Sequence, residues 1–155
     1  MKKIIPVFLI LLLFSGCKMR DYTPVINEDF KCSAIYTTGD FSFSCDIEKK
    51  GDTINITPTS TRAKGMVISC NGREVALRRN NLVNTFDVGE IDKTNPAVLL
   101  HQVFANLDAA EVNLIEGAFT YSGRCSLGNY ILKQGRDNKL ISLAFPQADI
   151  SITFS

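Results

Sequence analysis

The sequence predicts a mainly β, α+β fold: a curved antiparallel sheet of about eight or nine strands, a half-barrel, with one helix on its concave face. Three observations lead there. Short segments alternate apolar and polar residues with period two, the pattern of half-buried antiparallel strands. Turn residues punctuate them at short intervals. One segment alone, 95–111, switches to helical spacing.

The first strand is expected over Asp29 to Tyr36, where Phe30, Cys32, Ala34 and Tyr36 share a face. The second covers Phe41 to Ile47, with Phe41, Phe43, Cys45 and Ile47 opposite Ser42, Ser44 and Asp46. Thr38-Gly39 between them reads as a two-residue hairpin loop. That register pairs Tyr36 with Phe41, Ala34 with Phe43, Cys32 with Cys45 and Phe30 with Ile47, so apolar meets apolar throughout. Lys50-Gly51-Asp52 then turns the chain into Thr53 to Thr57, and Pro58 ends that strand or places it at an edge. Lys64 to Cys70 and Arg73 to Leu77 flank Asn71-Gly72, a strong hairpin signal. Its register pairs Ile68 with Val75 and Met66 with Leu77. Further strands are expected over Ile115 to Tyr121, Asn129 to Gln134, Lys139 to Phe145 and Asp149 to Phe154. Turns at Gly135-Arg136-Asp137-Asn138 and Pro146-Gln147-Ala148 join the last three.

The helix starts with Asn95 as N-cap and Pro96 at the first helical position. Leu99, Val103 and Leu107 follow helical spacing, with Leu100 and Phe104 beside them, to about Glu111. An amphipathic helix buries its apolar stripe against the apolar face of the sheet.

The N-terminus has its own pattern. Lys2 and Lys3 precede an eleven-residue apolar run, Ile4 to Phe14, and Ser15-Gly16-Cys17 follows. Eleven residues are too few for a membrane-spanning helix, which needs about 20. The arrangement resembles a bacterial lipoprotein signal peptide with its lipobox. That resemblance implies cleavage of residues 1–16, a diacylglycerol-modified Cys17, a lipid-anchored tether over 17–28 and a location on the extracytoplasmic face of a cell membrane. An ordinary secretory signal cut nearby would leave Cys17 unmodified. The tether holds Pro24 and is mostly polar. The single domain then runs over 29–155.

Cleavage removes 16 of 155 residues and two of 17 basic ones, leaving 139 residues with 15 bases against 16 acids. A near-neutral chain has no strong electrostatic claim on nucleic acid. Arg73, Arg78 and Arg79 cluster near one turn and read as a solvated strand edge.

Chemistry-bearing patterns are sparse. His101 is the only histidine and lies on the predicted helix. No Gly-x-Ser-x-Gly, His-Glu-x-x-His or phosphate-loop pattern occurs, so no enzyme, cofactor or metal is expected. Asp87, Glu90 and Asp92 read as acids that favour the helix N-terminus rather than as cation ligands. Four cysteines follow Cys17, with no Cys-x-x-Cys spacing. In the hairpin register above, Cys32 and Cys45 form a non-hydrogen-bonded pair about 4.5 Å apart, within disulfide reach. Two buried thiols are the alternative. Cys70 and Cys125 could pair or stay free.

A lipobox, a curved meander and a covering helix together resemble the bacterial lipoprotein-carrier superfamily. Pro58 to Val75, with Lys64-Gly65-Met66 before a strand and Asn71-Gly72 after it, is similar to that family's central hairpin. The resemblance implies a half-barrel whose concave face holds a lipid or another apolar ligand. Candidate lining residues are Phe41, Phe43, Met66, Ile68, Phe119 and Tyr121 on the sheet, with Leu99, Val103 and Phe104 on the helix. Two functions are expected from this: a membrane-anchored binding module for an apolar ligand, or a structural lipoprotein with a filled core that meets another envelope protein.

Overall fold

The computed structural model describes residues 29–155. The signal peptide, Cys17 and the tether expected over 1–28 lie outside them. Eleven strands form one antiparallel sheet. In chain order they are β1 (Phe30–Thr38), β2 (Phe41–Lys50), β3 (Thr53–Pro58), β4 (Val67–Cys70), β5 (Glu74–Arg79) and β6 (Leu82–Asp87), then β7 (Glu111–Ile115), β8 (Ala118–Cys125), β9 (Gly128–Gln134), β10 (Leu140–Phe145) and β11 (Ile150–Phe154). The helix α1 (Pro96–Ala105) lies between β6 and β7.

The spatial order is β6-β5-β4-β3-β2-β1-β11-β10-β9-β8-β7. Each strand pairs with its neighbour in sequence, except that β1 and β11 close the two halves along the middle. The link from β6 to β7 therefore crosses from one edge of the sheet to the other, and α1 is part of that link. It packs on β3 and β4 of one arm and on β8 of the other. A flat sheet could not offer both arms to a ten-residue helix about 15 Å long; the sheet curves around it.

Both helix ends are tied down. The Asn95 side chain accepts the Ala97 N–H at 3.0 Å, and Pro96 sits at the first helical position. The Tyr36 hydroxyl donates to the Thr94 carbonyl at 2.7 Å, joining the sheet centre to the helix start. Gln102 accepts from the Ser126 hydroxyl at 2.7 Å, fixing the helix to the β8–β9 turn. The helix stops six residues before the expected Glu111. Asn106 leaves helical geometry (φ −116°, ψ 12°) while its side chain caps the Gln102 carbonyl at 2.8 Å. A 3-10 turn, Leu107–Ala109, follows.

One face of the sheet is continuous core. Ala34, Tyr36, Cys45, Ile47, Ile54, Ile56, Val75, Leu132, Leu143 and Ile152 all point beneath the helix. From α1, Leu99, Leu100 and Val103 fill the space between the arms.

Three expectations change. The sheet has eleven strands, not eight or nine. The added ones are β6 and β7, its two edges; the expected Ile115–Tyr121 strand is interrupted by the Glu116-Gly117 turn and divides into β7 and β8. Every residue of β6 and β7 is exposed, so neither carries the alternation that burial of one face creates. The third change is register. Thr38 pairs with Phe41 and Cys70 with Val75, so the hairpin loops are Gly39-Asp40 and Gly72-Arg73. Each glycine has positive φ, +52° and +86°, and takes the first loop position, as in a type II′ turn. The expected loops had it second. Partners consequently shift by two: Tyr36 meets Phe43, Ala34 meets Cys45, Cys32 meets Ile47 and Ile68 meets Leu77. A shift of two keeps every side chain on its expected face.

Candidate functional site

At the end of the sheet where β1 begins and β11 ends lies a cleft of about 780 Å³. Phe30 and Cys32 of β1, Leu140 and Ile141 of β10, and Phe154 of β11 supply its apolar lining. Asp29, Lys31 and Ser155 at the strand ends, with Gly135, Asp137, Asn138 and Lys139 of the β9–β10 turn, surround it.

Local structure explains why these residues converge. Phe30, Cys32 and Phe154 follow the inward alternation of their strands. Leu140 pairs with Gln134 and Ser142 with Lys133, so Ile141 is an extra residue at a bulge. Bulges re-aim side chains, and here two consecutive residues, Leu140 and Ile141, both line the cleft. Opposite them, the Phe104 ring of α1 packs on Phe30 with centroids 5.3 Å apart.

The turn wall depends on one polar core residue. Gln134 is 0% exposed. Its side-chain oxygen accepts the Tyr121 hydroxyl at 3.0 Å, and its amide donates to the Asn138 carbonyl at 2.9 Å. Asn138 holds φ +63°. Lys139 lies 3.6 Å from Asp137 on the same turn. Across the cleft, Asp29 accepts the Gly51 N–H at 2.7 Å and fixes the point where the chain enters the sheet.

Eight of the nine candidate lining residues belong to the inner side of the sheet or to the helix; Met66 lies in the loop before β4, which begins at Val67 rather than at the expected Lys64. Ile68, Leu99, Val103, Phe119 and Tyr121 are buried in the core, and Phe43, Met66 and Phe104 pack against it. Phe41 lies at the opposite end of the half-barrel, 55% exposed, with its ring 5.9 Å from that of Phe43. None of the nine lines the cleft. Beneath the helix, Leu99, Leu100 and Val103 are fully buried against the sheet, and the cleft lies at the strand ends. Phe30 and Cys32 were legible as inward-facing. Leu140 and Ile141 depend on a bulge, and Gln134 gave no apolar signal.

The four cysteines among the described residues are thiols. Cys32, Cys45, Cys70 and Cys125 are all free. The two-residue register shift makes Cys32 and Cys45 diagonal rather than directly opposed, where Cα atoms stand about 7–8 Å apart. Burial, followed by the Asp46 carboxylate, pushes the Cys32 thiol up to about 11. The same causes, with Cys32 itself, raise Cys45 to about 11.

His101 stands over the β4–β5 turn, beside a crevice of about 80 Å³ lined by Lys49, Gly51, Asp52, Ile54, Phe104 and Ala105. Burial lowers its pKa, with Asp52 opposing and Lys49 assisting. The loop acids cap their own turns. Asp87 and Glu90 form a capping box around a 3-10 turn at Val88–Glu90. Asp92 accepts the Thr94 N–H and hydroxyl at 2.8 and 2.7 Å, which lowers its pKa. Among the described residues no group of three or more His, Cys, Asp or Glu could hold a metal ion.

No protein-family model matches the chain, and no curated protein matches its sequence. Among solved structures, the chain is similar to the LolA superfamily protein NE2245 from Nitrosomonas europaea, with 11% identity, a TM-score of 0.42, and coverage of 83% of this chain and 84% of that one. A likeness this loose transfers none of the neighbour's properties.

Proposed function

We propose that this chain is a lipid-anchored, extracytoplasmic binding module whose cleft takes the hydrocarbon chain of a lipid or a similar apolar ligand. The observation that carries the reading is the cleft itself. Its volume, about 780 Å³, is that of a small-molecule site, roughly 300–1,000 Å³. Five apolar side chains, those of Phe30, Cys32, Leu140, Ile141 and Phe154, meet there at the end of the core. Lys31 and Lys139 at its mouth suit an anionic head group, and Asp29 and Asp137 restrict where such a group sits. The anchor would stand close by: eleven residues separate Cys17 from Asp29, a reach of at most about 40 Å.

A melting series with a long-chain fatty acid tests this. A ligand that binds only the folded chain raises the midpoint with the logarithm of its concentration above Kd. A saturable rise is expected for the wild type, and Phe154→Asp should abolish it. No shift in the wild type overturns the reading.

The second reading is a structural lipoprotein that takes no ligand and meets another envelope protein. The full burial of Leu99, Leu100 and Val103 of α1 favours it. The same melting series separates the two.

A further inference from the structure

Among the described residues nothing covers the two edges of the sheet, β6 and β7, and they differ in charge. β6 reads Leu82-Val83-Asn84-Thr85-Phe86-Asp87 and is exposed along its length, with Leu82 at 75%, Val83 at 55% and Phe86 at 36%. Natural edge strands are blunted by lysine, proline or a bulge. β6 has no lysine and no proline, and its pairing with β5 is regular from Arg79↔Leu82 to Glu74↔Asp87.

We infer that β6 is the pairing edge for a second copy of this chain, the two β6 strands joining antiparallel about a twofold axis at Asn84. The sequence of the strand is complementary to itself in that arrangement. Phe86 lies opposite Val75, which is fully buried, so Leu82, Asn84 and Phe86 form the inner face. With Asn84 on the axis, Leu82 of each copy meets Phe86 of the other, and Val83 meets Thr85. Every apolar residue stays on its own face, and the two amides at Asn84 can bond to each other.

Charge selects this edge and this direction. The end of the β5–β6 hairpin that holds the turn carries Arg78 and Arg79, and the other end carries three acids, Glu74, Asp87 and Glu90, against one base, Arg73. Antiparallel pairing sets the basic end of each copy beside the acidic end of the other, twice. The nearest backbones there are two strand spacings apart, about 10 Å, a gap that arginine side chains narrow. The opposite edge offers no such match. β7 also has exposed apolar residues, Val112, Leu114 and Ile115, but the charges in its own segment, Asp108, Glu111 and Glu116, are all acidic, with Arg124 of β8 the one base beside the Glu111 end. A β7–β7 pair would crowd like charges. The arginines beside β6 thus act as the complement of a second copy's acids.

Cysteine cross-linking of the full-length chain in detergent micelles tests this. Asn84→Cys places a thiol on the axis, within disulfide reach of its twin. Leu82→Cys places its thiols four residues apart along the joined strands, beyond reach. Both positions are exposed, and melting curves should show both variants folded. Roughly tenfold more oxidised dimer is expected from Asn84→Cys than from Leu82→Cys, measured above the wild-type background of native thiols. Raised salt should reduce the yield by screening the end charges, as should Arg78→Glu combined with Arg79→Glu. Equal yields from Asn84→Cys and Leu82→Cys would overturn the inference, and so would preferential cross-linking through Asn113→Cys at β7.

Discussion

Gln134→Leu removes the one polar side chain that ties the core to the wall of the cleft. The buried Tyr121 hydroxyl, 3.0 Å from the Gln134 oxygen, loses its acceptor. The Asn138 carbonyl, 2.9 Å from the Gln134 nitrogen, loses its donor. An orphaned buried hydroxyl costs about 1–3 kcal/mol, and a lost bond at a partly buried carbonyl about 1 kcal/mol. The side-chain volume is nearly kept, so the cavity contribution is small. The variant should lose about 2–4 kcal/mol in urea denaturation, with a fall in melting midpoint of about 10 °C. A double-mutant cycle isolates the first part. Tyr121→Phe deletes the orphaned donor, and in that background Gln134→Leu should cost only about 1 kcal/mol. The β9–β10 turn would also lose its hold, so a fluorescent fatty acid should bind the single variant more weakly than the wild type. A loss below about 0.5 kcal/mol, or the same loss with and without the Tyr121 hydroxyl, would refute the reasoning.

Other consequences are as direct. Gly72 holds φ +86°, and a methyl there would overlap the His101 ring. Gly72→Ala should cost about 2–3 kcal/mol, falling to about 1–2 kcal/mol in a His101→Ala background, where only the left-handed backbone is strained; urea midpoints read both. Burial holds the His101 pKa below 6.5 in the folded chain. The unfolded chain therefore takes up the proton first, so stability is full above about pH 6.5 and declines on acidification until the folded-state pKa is passed. His101→Gln should flatten that part of the pH–stability curve, and an unchanged curve would count against the assignment. If Cys17 carries lipid, Cys17→Ala should move the protein from the membrane fraction to the soluble one, because two or more buried acyl chains give stable anchoring. Equal partitioning of mutant and wild type would contradict the anchor.

The faces of the sheet were legible and its edges were not, for one physical reason. Alternation records burial of one face. Phe30, Cys32, Ala34 and Tyr36 alternate because the core lies on one side of β1. Leu82 to Asp87 and Glu111 to Ile115 have no buried side, so nothing marks them as strands. Registers failed for a different reason. Glycine announces a turn but not which loop position it takes, and Gly39 and Gly72 both take the first. The side chains kept their faces, while Cys32 lost Cys45 as its direct partner. The start of the helix was legible because Asn95 and Pro96 satisfy backbone groups locally. Its end was not: Leu107 continues the apolar spacing, but Asn106 caps the helix before it. The cleft was least legible. It arises from a bulge at Ile141, the meeting of chain segments 29–32 and 154–155, and a buried glutamine whose role depends on partners 4 and 13 residues away.

Cys32 gives the most direct test of the claim that the cleft is a ligand site. It lines the cleft as a partly exposed free thiol, and Cys125, also a partly exposed free thiol, lies outside it. With its pKa near 11, Cys32 reacts slowly near pH 8 and about ten times faster for each unit of added pH until the thiolate predominates. Its rate of alkylation, followed by peptide mass spectrometry, should fall as a long-chain fatty acid is titrated in, saturating at the Kd from the melting series, while Cys125 is unaffected. Protection of Cys32 alone is the predicted result. A Cys32 rate unchanged by the fatty acid, or one that falls in step with that of Cys125, would contradict a ligand in the cleft.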